Sequence, residues 1–155
     1  MTDREFTAAA ETYMDMVYRI ALNWFRNVPD AEDVTQNTML RLCRTDNAFA
    51  DGEHLRYWLV RVAVNECKRL SKCFWRTRTL PLESAPESSF SDEDRREVYR
   101  EVMALPGKYR VPLYLYYYEG YPVKDIAALL GMKLSTVQTR LARGREQLKT
   151  ILTEG

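Results

Sequence analysis

The sequence has few of the residues from which metal and catalytic sites are usually built. Its 155 residues include one histidine, His54, and three cysteines, Cys43, Cys67 and Cys73, with no CxxC pair among them. This content argues against a disulfide scaffold and is typical of a cytoplasmic chain with reduced thiols. Zinc bound by these four side chains is an alternative, but cysteine is often simply a small buried apolar residue. We therefore predict no metal and no cofactor.

Long apolar runs and catalytic motifs are also missing. The first 20 residues contain six charged side chains, so they predict neither a signal peptide nor a membrane-spanning helix. The sequence has no glycine-rich phosphate loop, no HExxH motif, and no serine or cysteine for which it could nominate a histidine partner. We therefore predict a cytoplasmic protein that is not inserted in a membrane and is not an enzyme.

The net charge is small, but the charges are unevenly distributed. A net charge of +1 at pH 7 does not by itself suggest a nucleic-acid partner, and it argues against tight, unaided DNA binding. Residues 58–80, however, hold six basic side chains and one acidic one, and residues 108–155 hold eight and four. The segments before and between them are acidic. Separate basic regions of this kind are typical of a protein with distinct sites for polyanions.

The first half of the chain has the apolar periodicity of helices. Thr2 and Glu5 have the spacing of a capping box, and apolar residues recur at helical spacing from there to about Phe25. Asp30 is predicted to cap a second helix with acidic residues in its first turn, for which simple stabilisation of the helix is the alternative explanation. Turn-forming residues from Thr45 to Glu53 predict a loop.

A third helix is predicted from about Leu55 to Phe74, and it has a basic side. The polar stripe nearly opposite its apolar side contains Arg61, Asn65, Lys68 and Lys72, with Arg69 beside it and Trp58 on its flank. Cations beside an aromatic ring are what binding of single-stranded DNA requires, because cations follow the backbone and a ring stacks on an unpaired base. The alternative is that Trp58 is a core residue packed on the first helix. Glu66 falls near the apolar side, and the sequence suggests no role for it.

A change of composition divides the chain. Residues 76–94 are rich in proline, serine and acidic residues without a helical period, which predicts a flexible linker. Beyond it, Ser91 or Asp92 is predicted to cap a helix, and a tyrosine-rich core helix is predicted to begin or bend at Pro112 and to end at Gly120. The predicted fold class is all-α, with two small helical domains joined by this linker.

The stretch Val123–Lys149 predicts a helix-turn-helix. Gly131 is placed to end the first helix in a left-handed conformation, and Ser135 is a candidate N-cap for the second. The second helix has a narrow apolar stripe, formed by Val137, Leu141, Gly144 and Leu148. Its other side is polar and basic, as in a helix that enters a DNA major groove. An ordinary αα-hairpin with a solvated face is the alternative.

Five motifs in this order resemble one known family, the extracytoplasmic-function sigma factors of bacterial RNA polymerase, within the sigma-70 family. The motifs are YRIA (18–21), DAEDVTQNTMLRL (30–42), WLVRVAVNECKRL (58–70), LPGKYRVPLYLYYYEGY (105–121) and DIAALLGMKLSTVQTRLARGREQLK (125–149). The resemblance implies a region 2-like domain at 1–75 that binds core polymerase and the −10 element. It also implies a region 4-like domain at 95–155 that binds the −35 element through the helix-turn-helix, with the linker at 76–94 between them.

The resemblance also assigns residues to these surfaces. The contacts to the clamp helices of the polymerase β′ subunit would be Asp33, Gln36, Asn37 and Leu40. The −10 element would be opened and held as single strand by the third helix, in which Asn65, Lys68 and Arg69 occupy matching positions. The basic side of that helix adds Trp58, Arg61 and Lys72 to the predicted −10 residues. The −35 element would be read as duplex by Thr136, Gln138, Thr139, Arg140, Ala142, Arg143 and Arg145. Family members commonly have a cation at the position of Gln138 and glycine at that of Ser135, so the −35 sequence does not carry over.

The predicted function is therefore promoter-specific initiation of transcription. The predicted partners are core RNA polymerase, promoter DNA and an anti-sigma factor, the last because members of the family are usually held inactive by one. Two other classes of protein are compatible with the residues alone. One is a stand-alone helix-turn-helix regulator that binds a palindrome as a dimer, and the other is a helical interaction protein that binds no DNA.

Overall fold

The computed structural model describes residues 1–74 and 93–154, and the side chains of residues 1–72 and 99–153. These residues form seven helices and no strand. The chain divides into two compact units, Met1–Ala85 and Pro86–Gly155. The prediction of an all-α fold with two small domains and a helix-turn-helix is confirmed. The predicted caps Ser91 and Asp92, and nearly all of the predicted linker, lie outside the described residues.

The first unit is a bundle of three helices, each of which contacts the other two. They are α1 (Asp3–Phe25), α2 (Val28–Arg44) and α3 (Gly52–Phe74). Their core is aliphatic, and its most deeply buried residues are Val17, Ala21, Ala31, Val34, Leu42, Leu59, Val60, Ala63 and Val64. The capping box at Thr2 and Glu5 is confirmed, since both reciprocal hydrogen bonds are present at 3.2 Å.

The start of α2 differs from the prediction, because Asn27 and not Asp30 is its cap. The Asn27 Oδ1 accepts a hydrogen bond from the Asp30 N–H at 3.0 Å, and α2 begins at Val28. Pro29 falls in the first turn, where a missing N–H removes no intrahelical hydrogen bond. Asp30 is consequently a buried residue of the first turn. Cys43, a candidate for the inner side of this helix, is exposed.

The start of α3 is fixed by two hydrogen bonds that involve His54. The His54 N–H donates to Asp51 Oδ1 at 2.8 Å, and the His54 Nδ1 accepts from the Ala50 N–H at 2.9 Å. This reciprocal arrangement resembles a capping box and starts the helix at Gly52, three residues before the predicted start. The Tyr13 hydroxyl donates to the Gly52 carbonyl at 3.1 Å, which ties the loop to α1.

The second unit contains four helices arranged around α5. They are α4 (Glu93–Ala104), α5 (Gly107–Tyr117), α6 (Val123–Leu130) and α7 (Leu134–Glu154), and α5 contacts each of the others. Pro112 is buried and lies inside α5, which begins at Gly107, so the prediction that the helix begins near Pro112 is wrong. The hydrogen bond that its ring removes would go to the carbonyl of Lys108, an exposed residue in the first turn of α5.

Tyr99, Tyr114 and Tyr118 form an aromatic cluster in the second unit. The rings of Tyr114 and Tyr118 stack with centroids 5.4 Å apart, and Tyr99 of α4 meets both of them edge-on. The Tyr114 hydroxyl donates to the buried carboxylate of Glu119 at 2.6 Å. Gly120 follows in the left-handed region, with φ of 77°, and turns the chain towards α6.

The helix-turn-helix is formed by α6 and α7. Gly131 ends α6 in the left-handed conformation that was predicted, with φ of 68°. The prediction that Ser135 caps α7 is wrong, because α7 begins at Leu134 and the Val137 N–H already bonds the Lys133 carbonyl at 3.2 Å. Val137 and Leu141 are fully buried, as the apolar stripe predicts.

Gly144 allows α7 to approach α5 closely. A Cβ at this position would lie 2.8 Å from Leu113 Cδ1 and 3.2 Å from Tyr109 Cβ. The first distance is shorter than any ordinary contact between side chains. The absence of a side chain at Gly144 therefore sets the spacing of the two helices.

We expect Gly144→Ala to lower the free energy of unfolding by about 1 kcal/mol. Overpacking against Leu113 costs roughly 1–3 kcal/mol, and the better helix propensity of alanine recovers about 0.5–1 kcal/mol. Urea unfolding followed by circular dichroism measures the change. In a Leu113→Ala background the same substitution should be neutral or stabilising, and an equal loss in both backgrounds would contradict this explanation.

Candidate nucleic-acid and polymerase-binding surfaces

The four residues predicted to contact polymerase lie on one outer side of α2. Asp33, Gln36 and Leu40 are exposed and Asn37 is half-buried. Their spacing of three and four residues places them next to one another on the helix surface. Leu40 is 48% exposed, which is a large apolar area in contact with water. We call these four residues the α2 stripe.

The predicted single-strand surface lies on the outer side of α3. Arg61, Asn65, Arg69 and Lys72 are exposed, whereas Trp58 and Lys68 are half-buried. Burial, and then the charge of Lys72, lower the pKa of Lys68 below its usual value. Repulsion of this kind shows a locally positive potential, which a bound anion would relieve. We call these six residues the α3 face.

Trp58 packs on the loop before α3. Its ring meets Phe49 edge-on with centroids 5.4 Å apart, and Phe49 in turn meets His54 at 5.3 Å. Phe49 and Trp58 are both half-buried, so part of each ring remains accessible. The sequence analysis did not select Phe49, and the available signal was a single aromatic residue in a loop of turn-forming residues.

Glu66, for which the sequence suggested no role, joins α2 to α3. Its carboxylate is buried and lies 2.9 Å from Arg41 Nε through Oε1. Its other oxygen, Oε2, accepts from Arg69 Nε at 3.0 Å and Arg69 Nη2 at 2.8 Å. A buried carboxylate is costly unless it is paired, and here two guanidinium groups pair with it. We call Arg41, Glu66 and Arg69 the Glu66 cluster.

The predicted −35 surface lies on the part of α7 that faces away from the core. Gln138, Thr139, Ala142 and Arg143 are exposed, and Thr136 and Arg140 are half-buried. A shallow hollow of about 250 Å³ on this surface is lined by Ser135, Thr136, Thr139, Arg140 and Arg143. Side chains with hydroxyl, amide and guanidinium groups around a hollow can hydrogen-bond the edges of bases. We call six of these residues the α7 face: Thr136, Gln138, Thr139, Arg140, Ala142 and Arg143.

Arg145 is separated from the other predicted −35 residues. Its Nε donates to the Tyr117 hydroxyl at 2.6 Å, and its guanidinium carbon lies 5.4 and 5.6 Å from the ring centroids of Tyr116 and Tyr117. The side chain is therefore held against α5 by a hydrogen bond and by cation–π contacts. Sequence spacing did not reveal this, because the tyrosines lie 28 residues away along the chain.

Two absences concern the part of the chain that the structure describes. No group of three or more histidine, cysteine, aspartate or glutamate side chains there could hold a metal ion. Over the same residues, no helix is both long enough and apolar enough to cross a membrane.

Comparison with known families supports the division into two units. The sigma-70 region 2 family matches residues 9–78, and the sigma-70 region 4 family matches residues 95–148. These regions, in this order and on an all-helical fold, define a transcription initiation factor of the sigma-70 type.

Individual relatives narrow the assignment. The chain is 30% identical over 139 residues to the extracytoplasmic-function (ECF) RNA polymerase sigma factor SigM of Mycobacterium tuberculosis, covering 88% of this chain and 71% of SigM. It is 31% identical over 156 residues to the ECF sigma factor SigE of Mycolicibacterium smegmatis, covering 92% of this chain but only 59% of the length of SigE. The chain belongs to the ECF RNA polymerase sigma factors.

A solved structure has the same fold. The sigma factor RpoE, in its complex with the anti-sigma factor NepR from Bartonella quintana, superposes with a TM-score of 0.73. The match covers 97% of this chain and 98% of RpoE, at 18% sequence identity. At this identity the likeness supports the fold alone.

We expect Glu66→Gln to lower the free energy of unfolding by about 1–2 kcal/mol, because it removes the charge from the hydrogen bonds that join α2 to α3. The expected loss is modest because both arginines are more than half exposed, and solvent weakens their interaction with the carboxylate. Urea unfolding measures the loss. Glu11→Gln, an exposed carboxylate on α1, is the control and should stay within about 0.5 kcal/mol of the unchanged protein. Equal effects of the two variants would show that the Glu66 cluster contributes nothing.

Proposed function

We propose that the protein binds core RNA polymerase and directs it to promoters, with each of the three surfaces in a separate role. The α2 stripe docks on the clamp helices of the β′ subunit, the α3 face holds the separated strand of the −10 element, and the α7 face reads the −35 element as duplex. The observation that carries this proposal is the occurrence of region 2 and region 4 in one chain, each with an exposed polar face.

The division of labour within the chain follows from the same observation. Residues 1–75 act as the polymerase- and −10-binding domain and residues 95–155 as the −35-binding domain, with 76–94 as the connection between them. The net charge of +1 supports an assisted mode of binding, because few phosphate contacts are made and polymerase supplies most of the affinity. The stand-alone regulator would have to bind DNA without that help.

Melting is a binding process in this proposal and needs no chemical step. Unstacking a base step costs roughly a few kcal/mol. A base captured on an aromatic ring recovers about 1–3 kcal/mol, and cations along the α3 face hold the backbone of the same strand. Trp58 and its neighbour Phe49 are the rings placed for such capture.

Reading of the duplex depends on side chains at the outer surface of α7. Arg143 can bond guanine through two donors, and Gln138 can bond adenine in the same bidentate manner. Thr136 and Arg140, at the edges of the face, are placed for phosphates, as is Arg145 once it leaves the tyrosines that hold it. RpoE of Bartonella quintana is found with an anti-sigma factor, and we propose that this chain also has such a partner.

The docking role is tested by co-elution with bacterial core RNA polymerase in size-exclusion chromatography. We expect the unchanged protein to co-elute and Asp33→Arg to elute alone, because the substitution reverses the charge of the one charged residue in the α2 stripe. Asp15→Arg, an exposed carboxylate on α1, is the matched control and should co-elute. Failure of the unchanged, folded protein to co-elute would remove this role and favour the stand-alone regulator.

The reading role is tested by selecting sequences from a random duplex library with the assembled holoenzyme. We expect Arg143→Ala to relax selection at one base position, with a loss of about 1–3 kcal/mol there, as for a lost bidentate pair with guanine. Lys149→Ala, an exposed cation near the end of the same helix, should leave the selected sequence unchanged. Weakening by Arg143→Ala that is the same on all sequences would show a phosphate contact instead of base reading.

A further inference from the structure

We infer that Arg41, held in place by Glu66, is a binding site for a phosphate of the promoter strand and extends the α3 face onto α2. The inference rests on the proposed function, and neither the sequence pattern nor the family comparison assigns Arg41 to DNA. It follows from three features of the Glu66 cluster: its geometry, its charge and its position.

The geometry leaves Arg41 able to bind a second group. The guanidinium pairs with Glu66 through Nε at 2.9 Å, while the Arg41 side chain is 61% exposed and that of Glu66 only 4%. Arginine has five N–H donors, and the two terminal nitrogens that carry four of them form a fork that suits a phosphate. Among the described residues, no second ion pair of Arg41 is found. The buried end of this side chain is therefore fixed, and its outer end can accept an anion.

The charge of the cluster also favours an anion. The cluster contains one carboxylate, that of Glu66, and the two guanidinium groups of Arg41 and Arg69, so the formal charges of its three residues sum to +1. Two nitrogens of Arg69 donate to the same Glu66 oxygen, Oε2. Arg41 pairs with the other oxygen, Oε1. A phosphate at the outer end of Arg41 would balance the remaining charge.

The position of the cluster favours DNA over an acidic side chain of polymerase. Arg69 belongs both to the cluster and to the α3 face, and Arg41 pairs with the same carboxylate as Arg69, so Arg41 adds a cation beside the α3 face. The neighbouring α2 stripe contains the carboxylate of Asp33, whose complement on a partner is basic and not acidic. A row of cations that crosses from one helix to the next suits a nucleic-acid backbone, which presents phosphates at regular spacing.

Glu66 acts here as a positioning residue and does not touch the DNA. By holding Nε it limits the rotamers of a long side chain, so less conformational entropy is lost when Arg41 binds. Without Glu66, Arg41 would keep its positive charge, but its side chain would no longer be held in one orientation. The two residues should therefore depend on each other in promoter binding.

The experiment measures the affinity of holoenzyme for the promoter fragment recovered by the library selection, from about 50 to 200 mM salt. For Arg41→Gln we expect the slope of log affinity against log salt to become shallower by about 0.7–0.9, as for one lost phosphate contact. Over this range the ratio of wild-type to variant affinity should then shrink about threefold. Arg4→Gln, an exposed arginine on α1, should leave the slope unchanged.

Glu66→Gln separates orientation from charge. It should weaken promoter binding and keep the wild-type slope, and its effect should be smaller in the Arg41→Gln background, where only the pairing of Glu66 with Arg69 remains to be lost. Circular dichroism confirms that each variant is folded at the temperature of the assay. If Arg41→Gln proves unfolded, Arg41→Lys replaces it. Arg41→Lys should keep the wild-type salt slope, and adding Glu66→Gln to it should weaken promoter binding less than Glu66→Gln does alone.

Three results would overturn the inference. They are an unchanged slope for Arg41→Gln, a loss of polymerase co-elution that accounts for its weaker binding, and an equal effect of Glu66→Gln with and without Arg41. The second would assign Arg41 to the polymerase. If unchanged holoenzyme selects no sequence at all, the proposed function itself fails, and that outcome is distinct from the other three.

Discussion

The carboxylate of Glu66 fixes how the two outer sides of the first unit lie relative to one another. Aliphatic packing holds α2 against α3, but apolar contact is non-directional and tolerates sliding. Paired guanidinium groups on one buried carboxylate require a particular register, because the hydrogen bonds are short and directional. The α2 stripe and the α3 face therefore lie at a set angle, and in the proposed function that angle relates the polymerase to the opened strand.

The sequence predicted what depends on neighbouring residues. Helical periodicity, the capping box at Thr2 and the left-handed Gly131 are all local, and each agrees with the structure. The pairing of Glu66 with Arg41 and that of Arg145 with Tyr117 were missed because each joins two helices, across 25 and 28 residues of sequence. The cap at Asn27 was missed because both Asn27 and Asp30 lie near Pro29 and both residue types are good caps, so the sequence does not distinguish them.

In the second unit, the position of one helix against another is set by the shape of the contact at Gly144, and not by an ion pair. Helix α7 has to pack closely on α5 and still leave its other side in solvent, and Gly144 permits this by removing the side chain at the contact. The aromatic core of α5 then supports α7 from below, while the tyrosines at its exposed end hold Arg145. One short helix thus carries both the core of the unit and a restraint on one cation of the helix that we propose reads DNA.

The packing of α7 also bears on how new promoter specificities arise. Val137, Leu141 and Gly144 form the side of the helix that determines stability, and they share no residue with the α7 face. Substitutions on the outer face leave the buried contacts unchanged, and their effects on stability and on sequence preference are then nearly additive. Under the proposed function, duplicated copies of such a chain could diverge in the promoters they recognise without passing through unstable intermediates.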